Sequence, residues 1–252
     1  MLLLLPPSES KRDGGDGARL DVAALAHPEL ASLRAELVTR VIELADDPAA
    51  AMRALKLGPR QAAEVERNLC IREAATMPAI DRYTGVLFDA LDAGTLDEAA
   101  RSFAAETVMV HSALFGLVGA LDQIPAYRLS HDSRVPGIGL RRHWRDPLAN
   151  LLAARRGLIV DLRSEGYADL GPAPARDDSV FVRVVSVDAD GRRRALNHFN
   201  KQAKGRFARS FLQSRPQLSS VGELVDWGTQ EGFALDVRGG SLAAPLEVEL
   251  VA

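Results

Sequence analysis

A single cysteine in 252 residues, Cys70, excludes an internal disulfide framework and suits a reducing compartment. The five histidines, His27, His111, His131, His143 and His198, show no paired ligand spacing, and one thiol cannot build a thiolate site, so neither a metal nor a cofactor is expected. A phosphate-cradling loop is missing too. Gly14-Gly15-Asp16-Gly17 lacks the Lys-Ser/Thr that would follow it and reads as a flexible loop. The chain has no long apolar run. Leu2 to Leu5 ends at Pro6-Pro7, too short for a signal peptide or a membrane span, which predicts a buried first strand, a cytoplasmic address and no membrane partner. These absences declare no reaction.

What is present is an ordinary globular composition, 47% hydrophobic and 26% charged, enough to bury a sizeable core. The length fits a single compact domain spanning 1–252. The net charge of −3 argues against a general polyanion binder, yet the cations are not evenly spread. No Asp or Glu occurs from Gly191 to Gly222, where eight Lys and Arg fall, and Ser133 to Arg145 is acid-free with four arginines. Two basic segments on an acidic background point to a local anion-binding face.

Periodicity predicts helices in the first half. Leu30, Leu33, Leu37, Val41 and Leu44 line one face over Pro28 to Ala45. Asp47 as N-cap with Pro48 at the first helical position opens a second helix that stops at Gly58, and a third begins near Pro59. Further starts are read at Pro78, with an end at Gly94, at a Thr95/Glu98 capping box, and at Asp146-Pro147, with Gly157 closing that helix. Strands are read at Leu158 to Leu162, Val180 to Val187 and Ala234 to Val237, with a hairpin turning at Val187 to Gly191 and returning over Arg192 to Phe199. A helix over Lys201 to Gln213 follows, and Ser220 caps a short one carrying Trp227. The expected class is α/β (mixed α+β), a mixed sheet flanked by helices with a helix-hairpin-helix element at 47–70.

Three segments can carry chemistry. Leu55-Lys56-Leu57-Gly58-Pro59-Arg60 joins two short helices, an arrangement that offers backbone amides and the cations Lys56 and Arg60 to a nucleic-acid phosphate. In Asn197 to Arg209, Lys201 and Lys204 share a helix face, and Gly205 within that helix signals close approach of another backbone or a ligand. Pro6 to Lys11 is a polar loop at the carboxyl end of a buried strand, where α/β folds place ligand contacts, and Asp161 to Tyr167 repeats that layout.

Taken with their order along the chain, these blocks resemble the YaaA family of peroxide-stress proteins. The likeness rests on Leu5 to Lys11, Tyr83-Thr84-Gly85-Val86, Ser112 to Gly116, Leu121-Asp122 with Tyr127-Arg128-Leu129, Trp144, Asp161 to Ser164 with Tyr167, and Lys201 through Arg209. Ala113, Phe115 and Gly119-Ala120 depart from the family's usual Gly, Tyr and Arg-Pro. The resemblance implies a mixed α/β domain with a helix-hairpin-helix, a positively charged cleft that binds DNA, and a role in limiting peroxide and iron damage.

Two functions follow from the residues. In the leading expectation Lys11, Lys56, Arg60, Lys201, Lys204, Arg206 and Arg209 contact DNA phosphates with low sequence specificity. In the alternative, Ser8, Lys11, Tyr83, Thr84, Ser164, Tyr167 and Lys201 converge on a deep cleft acting on a small anionic or nucleotide-like ligand, with a buried lysine as base or nucleophile. Shape discriminates: an enclosed pocket favours the enzyme, a wide groove favours DNA.

Overall fold

A computed structural model describes residues 1–187, 193–195, 199–239 and 245–251. The first third runs from β1 (Leu2–Leu5) through α1 (Ala31–Ala45), α2 (Pro48–Ala54) and α3 (Ala63–Leu69). Next come β2 (Met77–Pro78), α4 (Ala79–Arg82), α5 (Val86–Leu91), α6 (Glu98–Thr107), β3 (Val108–Ser112), β4 (Gly116–Gly119) and β5 (Gln123–Ile124). Then follow α7 (Leu140–Ala154), β6 (Ile159–Asp161), α8 (Glu165–Ala168), β7 (Ser179–Val187) and β8 (Arg193–Ala195). The chain closes with α9 (Phe199–Ser214), α10 (Val221–Gln230), β9 (Ala234–Arg238) and β10 (Leu246–Val251).

A strand made only of leucine has no solvent face, so it is stable only where both sides are covered. β1 meets that condition: all four leucines are buried, with β3 parallel on one edge and β6 parallel on the other. The sheet order is β4-β3-β1-β6-β7-β10-β9, with β4 and β9 antiparallel at the two edges. β6 pairs with the start of β7, Ser179 to Phe181, whereas β8 pairs antiparallel with its end at Val185 to Val187. This is the expected mixed sheet flanked by helices. Because β1 leads to β3 on one side while the chain later returns to β6 on the other, a crevice opens beyond the carboxyl ends of β1 and β6. Among the described residues no helix is long and apolar enough to cross a membrane.

Several helix boundaries differ from the sequence reading. The helix expected from Pro78 to Gly94 is interrupted at Tyr83 to Gly85, where Tyr83 is extended and Gly85 lies at φ 94°, a region that suits glycine. Asp97, not Thr95, caps α6, accepting from Ala100 N at 2.7 Å, while the Thr95 hydroxyl donates to Asp92. Helix α7 begins at Leu140 and carries Pro147 in its interior. An interior proline costs about 3 kcal/mol; burial of Leu140, Trp144 and Leu148 on both sides of it, with Trp144 Nε1 donating to Ala113 O at 2.8 Å, holds the helix through it.

The stretch 47–70 forms α2, a turn of 3-10 helix at Pro59–Gln61, and α3. Asp47 caps α2 as expected, accepting from Ala49 N and Ala50 N. The third helix starts at Ala63 instead of Pro59, because Gln61 turns back to accept from Gly58 N at 3.0 Å and closes a tight turn first. The β7–β8 pairing bears out the late hairpin, whose turn, with Asn197 and His198, lies outside the described residues.

Candidate active site

The crevice at the ends of β1 and β6 is a cavity of about 550 Å³. Its wall is assembled from five segments. The β1 loop gives Ser8, the α4–α5 break gives Thr84, the β6 loop and α8 give Ser164 and Tyr167, the loop before α7 gives His131, and α9 gives Lys201 and Lys204. The α4–α5 break makes this convergence possible. Thr84 N donates to Ser10 O at 3.1 Å, and a Cβ on Gly85 would stand 3.2 Å from Ser8 Oγ, so the two loops meet side by side. His131 is seated the same way: any Cβ on Gly166 would fall 2.3 Å from its Nε2.

Lys11 and Tyr83 do not face the cavity; they support its first loop from below. Lys11 is 6% exposed, donates to Ser8 O at 3.0 Å and Glu9 O at 3.2 Å, and lies 4.1 Å from the Tyr127 ring centre. Burial, with the Arg128 guanidinium nearby, lowers its pKa from 10.5 to about 7. The Tyr83 hydroxyl lies 2.7 Å from that of Tyr127, which lies 2.7 Å from Ser112 Oγ. Ser112 Oγ accepts from Leu114 N and Phe115 N, so both its lone pairs are used and its own proton goes to Tyr127. Burial raises the Tyr83 pKa well above normal and pushes Tyr127 up to about 12, which keeps both phenols protonated at neutral pH.

A second buried network fixes the β6 loop. The Arg163 guanidinium, 0% exposed, grips both oxygens of Asp161 at 2.8 and 2.6 Å and donates to Gly171 O at 2.9 Å. Its remaining contact is His111 Nδ1 at 2.8 Å. Guanidinium is a donor only, so Nδ1 accepts; burial and the Arg163 charge push the His111 pKa well below normal and keep the ring neutral. Fixing Arg163 also fixes its carbonyl, which accepts from Lys204 Nζ at 3.2 Å. Lys204 is 5% exposed, and burial, opposed by Asp161, brings its pKa down to about 8. The Gly205 beside it answers the expectation of close approach: an added Cβ would lie 2.2 Å from Leu87 O, so what approaches is the backbone of α5.

The residues expected to contact phosphate differ in burial and in partners. Lys11 and Lys204 are buried, whereas Lys201 and Arg206 are exposed on α9. Arg209 donates to the carbonyls of Leu91 and Asp92, capping the end of α5. Lys56 pairs with Asp132 at 2.5 Å, and Arg60 is exposed on the 3-10 turn. Of the alternative set, Ser8, Thr84, Ser164, Tyr167 and Lys201 share the cavity. His131 and Arg163 were not among the expected residues. His131 matters through its contact with Gly166, and Arg163 through joining the adjacent Asp161 to Gly171 and to the distant His111, pairings that spacing alone does not reveal.

Comparison with known proteins places this geometry. A family model described as peroxide stress protein YaaA matches residues 1–238. The chain belongs to the YaaA family. Among the YaaA relatives, UPF0246 protein CE1889 of Corynebacterium efficiens is 40% identical over 95% of this chain and 96% of its own length. UPF0246 protein SCO2297 of Streptomyces coelicolor is 41% identical over 94% and 93%. A UPF0246 protein of Corynebacterium glutamicum is 37% identical over 94% and 95%. The YaaA match thus covers every segment that lines the cavity.

Proposed function

We propose that this chain is a peroxide-stress protein that binds a small anionic, nucleotide-like molecule in the cleft beyond β1 and β6 and acts on it there. One observation supports the reading above the others. Ser8, Thr84, Ser164, Tyr167, Lys201 and Lys204 line a single cavity of about 550 Å³. Polar groups from distant segments around a metabolite-sized concavity are the usual make-up of a small-molecule site. Lys201 supplies charge at the mouth and Lys204 an amine inside, while Tyr167, whose pKa burial raises well above normal, offers a proton that stays in place at neutral pH. Binding to duplex backbone and limitation of iron damage, the finer roles implied by family resemblance, are rival outcomes. Of the expected phosphate contacts, Lys201, Arg206 and Arg60 are exposed and free of ion pairs among the described residues.

Calorimetric titration with AMP, ADP and inorganic phosphate tests the reading, with a short duplex titrated at two salt concentrations alongside and products sought by mass spectrometry. Saturable nucleotide binding that Lys201→Ala weakens is expected. No nucleotide binding, together with duplex binding that collapses as salt rises, overturns it in favour of the backbone role.

A further inference from the structure

The chain carries 27 arginines and four lysines, Lys11, Lys56, Lys201 and Lys204. Lys201 and Lys204 line the cavity and Lys11 is buried beneath its first loop, so three of the four lysines belong to one place. For gripping an anion, arginine with its planar fork is the better residue and is abundant here. What arginine cannot do is lose its proton. A chain that uses arginine nearly everywhere yet places lysine at this cavity is using the property in which the two differ.

We propose that Lys204 is an amine nucleophile that forms an imine with the carbonyl of an anionic aldehyde or ketone held in the cleft, Lys201 pairing with that ligand's phosphate or carboxylate. The inference rests on the small-anion reading above and narrows its substrate class. The placement suits the step. Lys204 lines the cavity, and its buried Nζ donates to Arg163 O at 3.2 Å beside the Phe181 ring; among the described residues no carboxylate pairs with it, and a neutral amine in this position keeps its lone pair free. The charges around it are Asp161, already held by Arg163, together with Glu165, Arg183 and the neighbouring Lys201. Burial brings the pKa to about 8, so a useful fraction is neutral near pH 7.

In the reaction the Nζ lone pair attacks the carbonyl carbon while the C–O π pair moves to oxygen. One nitrogen proton passes to that oxygen to give the carbinolamine. Loss of the hydroxyl as water, with the second nitrogen proton, leaves the C=N bond. Amine and carbonyl give imine and water, and no oxidant or reductant is needed. The hydroxyls of Ser164 and Tyr167 on the same wall are the groups placed to move these protons.

The test uses pyridoxal 5′-phosphate as an anionic aldehyde probe, sodium borohydride to reduce any imine, and peptide mass spectrometry to locate the adduct on the unmodified chain, where four lysines make assignment direct. Lys204 is expected to carry the adduct about tenfold or more in excess over Lys56, as befits an amine whose pKa burial brings down to about 8. AMP is expected to suppress the adduct and Lys204→Arg to abolish it. Equal labelling of Lys56 and Lys204, or an adduct on Lys201 alone, overturns the proposal. Calorimetry with AMP on the same sample separates the two readings: AMP binding without a Lys204 adduct removes the imine and leaves the anion site, whereas neither binding nor adduct removes both.

Discussion

The turn between α2 and α3 and the start of α9 both present cations close to a helix start, and the structure treats them in opposite ways. Arg60 is exposed on its 3-10 turn, and Lys56 is half satisfied by the exposed Asp132. Lys204 is buried between the β6 loop and the sheet, its proton affinity reduced by loss of water. A solvated cation keeps its normal charge and is interchangeable with its neighbours. A desolvated one becomes a chemical group whose protonation is set by its surroundings. The first region also reaches the cavity wall: Arg134 N donates to Ala54 O, so α2 buttresses the loop that carries His131. The α2–α3 segment thus supports one wall of the cleft.

The largest effect expected on the cleft side comes from Arg163. Replacing it by Met strands Asp161, 1% exposed, without its guanidinium partner. Breaking a buried pair in this way costs about 3–5 kcal/mol. Urea unfolding is expected to show a loss of that size, and Arg163→Met combined with Asp161→Asn is expected to recover part of it, since the uncompensated charge is then gone. A single-variant loss below about 1 kcal/mol, the level of an exposed pair, breaks the contrast between the regions.

That contrast was only partly legible in the sequence. Local signals were sound wherever local energetics decide: the Asp47 cap, the apolar stripe of α1, the all-leucine first strand and the Ser220 cap all appear as read. Where tertiary packing overrides propensity the reading failed, as with Pro147 inside α7 and the break at Tyr83 to Gly85. β3 and β4 were not foreseen, since short apolar runs next to a helix give no period to separate strand from helix. For the site, helical spacing put Lys201 and Lys204 on one face, but burial of the second depends on the β6 loop, 41 residues away in sequence. Arg209 shows the reverse. It lies on the same helix and is consumed by carbonyls at the end of α5, a partner that spacing on α9 cannot reveal.

Lys11 sharpens the comparison through pH. Its folded pKa of about 7 lies below the 10.5 of the unfolded chain, so between those values the unfolded state holds the extra proton. Stability contributed at this site therefore rises with pH through the window from about 7 to 10.5, and below pH 7 the full desolvation penalty applies. Relative to Lys11→Met, which has no such proton, the unmodified chain is expected to gain about 1 kcal/mol between pH 7 and pH 8. Parallel stability curves for the two proteins, measured by urea unfolding at each pH, defeat the assignment of Lys11 as a desolvated amine. Lys56→Met, which leaves Lys11 in place, serves as the comparison and is expected to keep the gain that Lys11 brings across the same interval.

Arg60 gives the smallest effect and the sharpest control. Exposed on a turn with no ion pair among the described residues, it is expected to change stability by no more than about 0.5 kcal/mol when replaced by Ala. AMP binding to the cleft is expected to stay the same, because Arg60 is absent from the cavity wall. Duplex titration of Arg60→Ala then carries the weight. Affinity lost for duplex but not for AMP would mean that the α2–α3 turn holds a separate backbone-binding role, and the chain would work with two anion sites of different kinds: one solvated and salt-sensitive, the other enclosed around Lys204. An equal loss for both ligands would mean that the α2–α3 turn and the cleft act as one surface, which the burial of Lys204 and the pairing of Lys56 with Asp132 argue against.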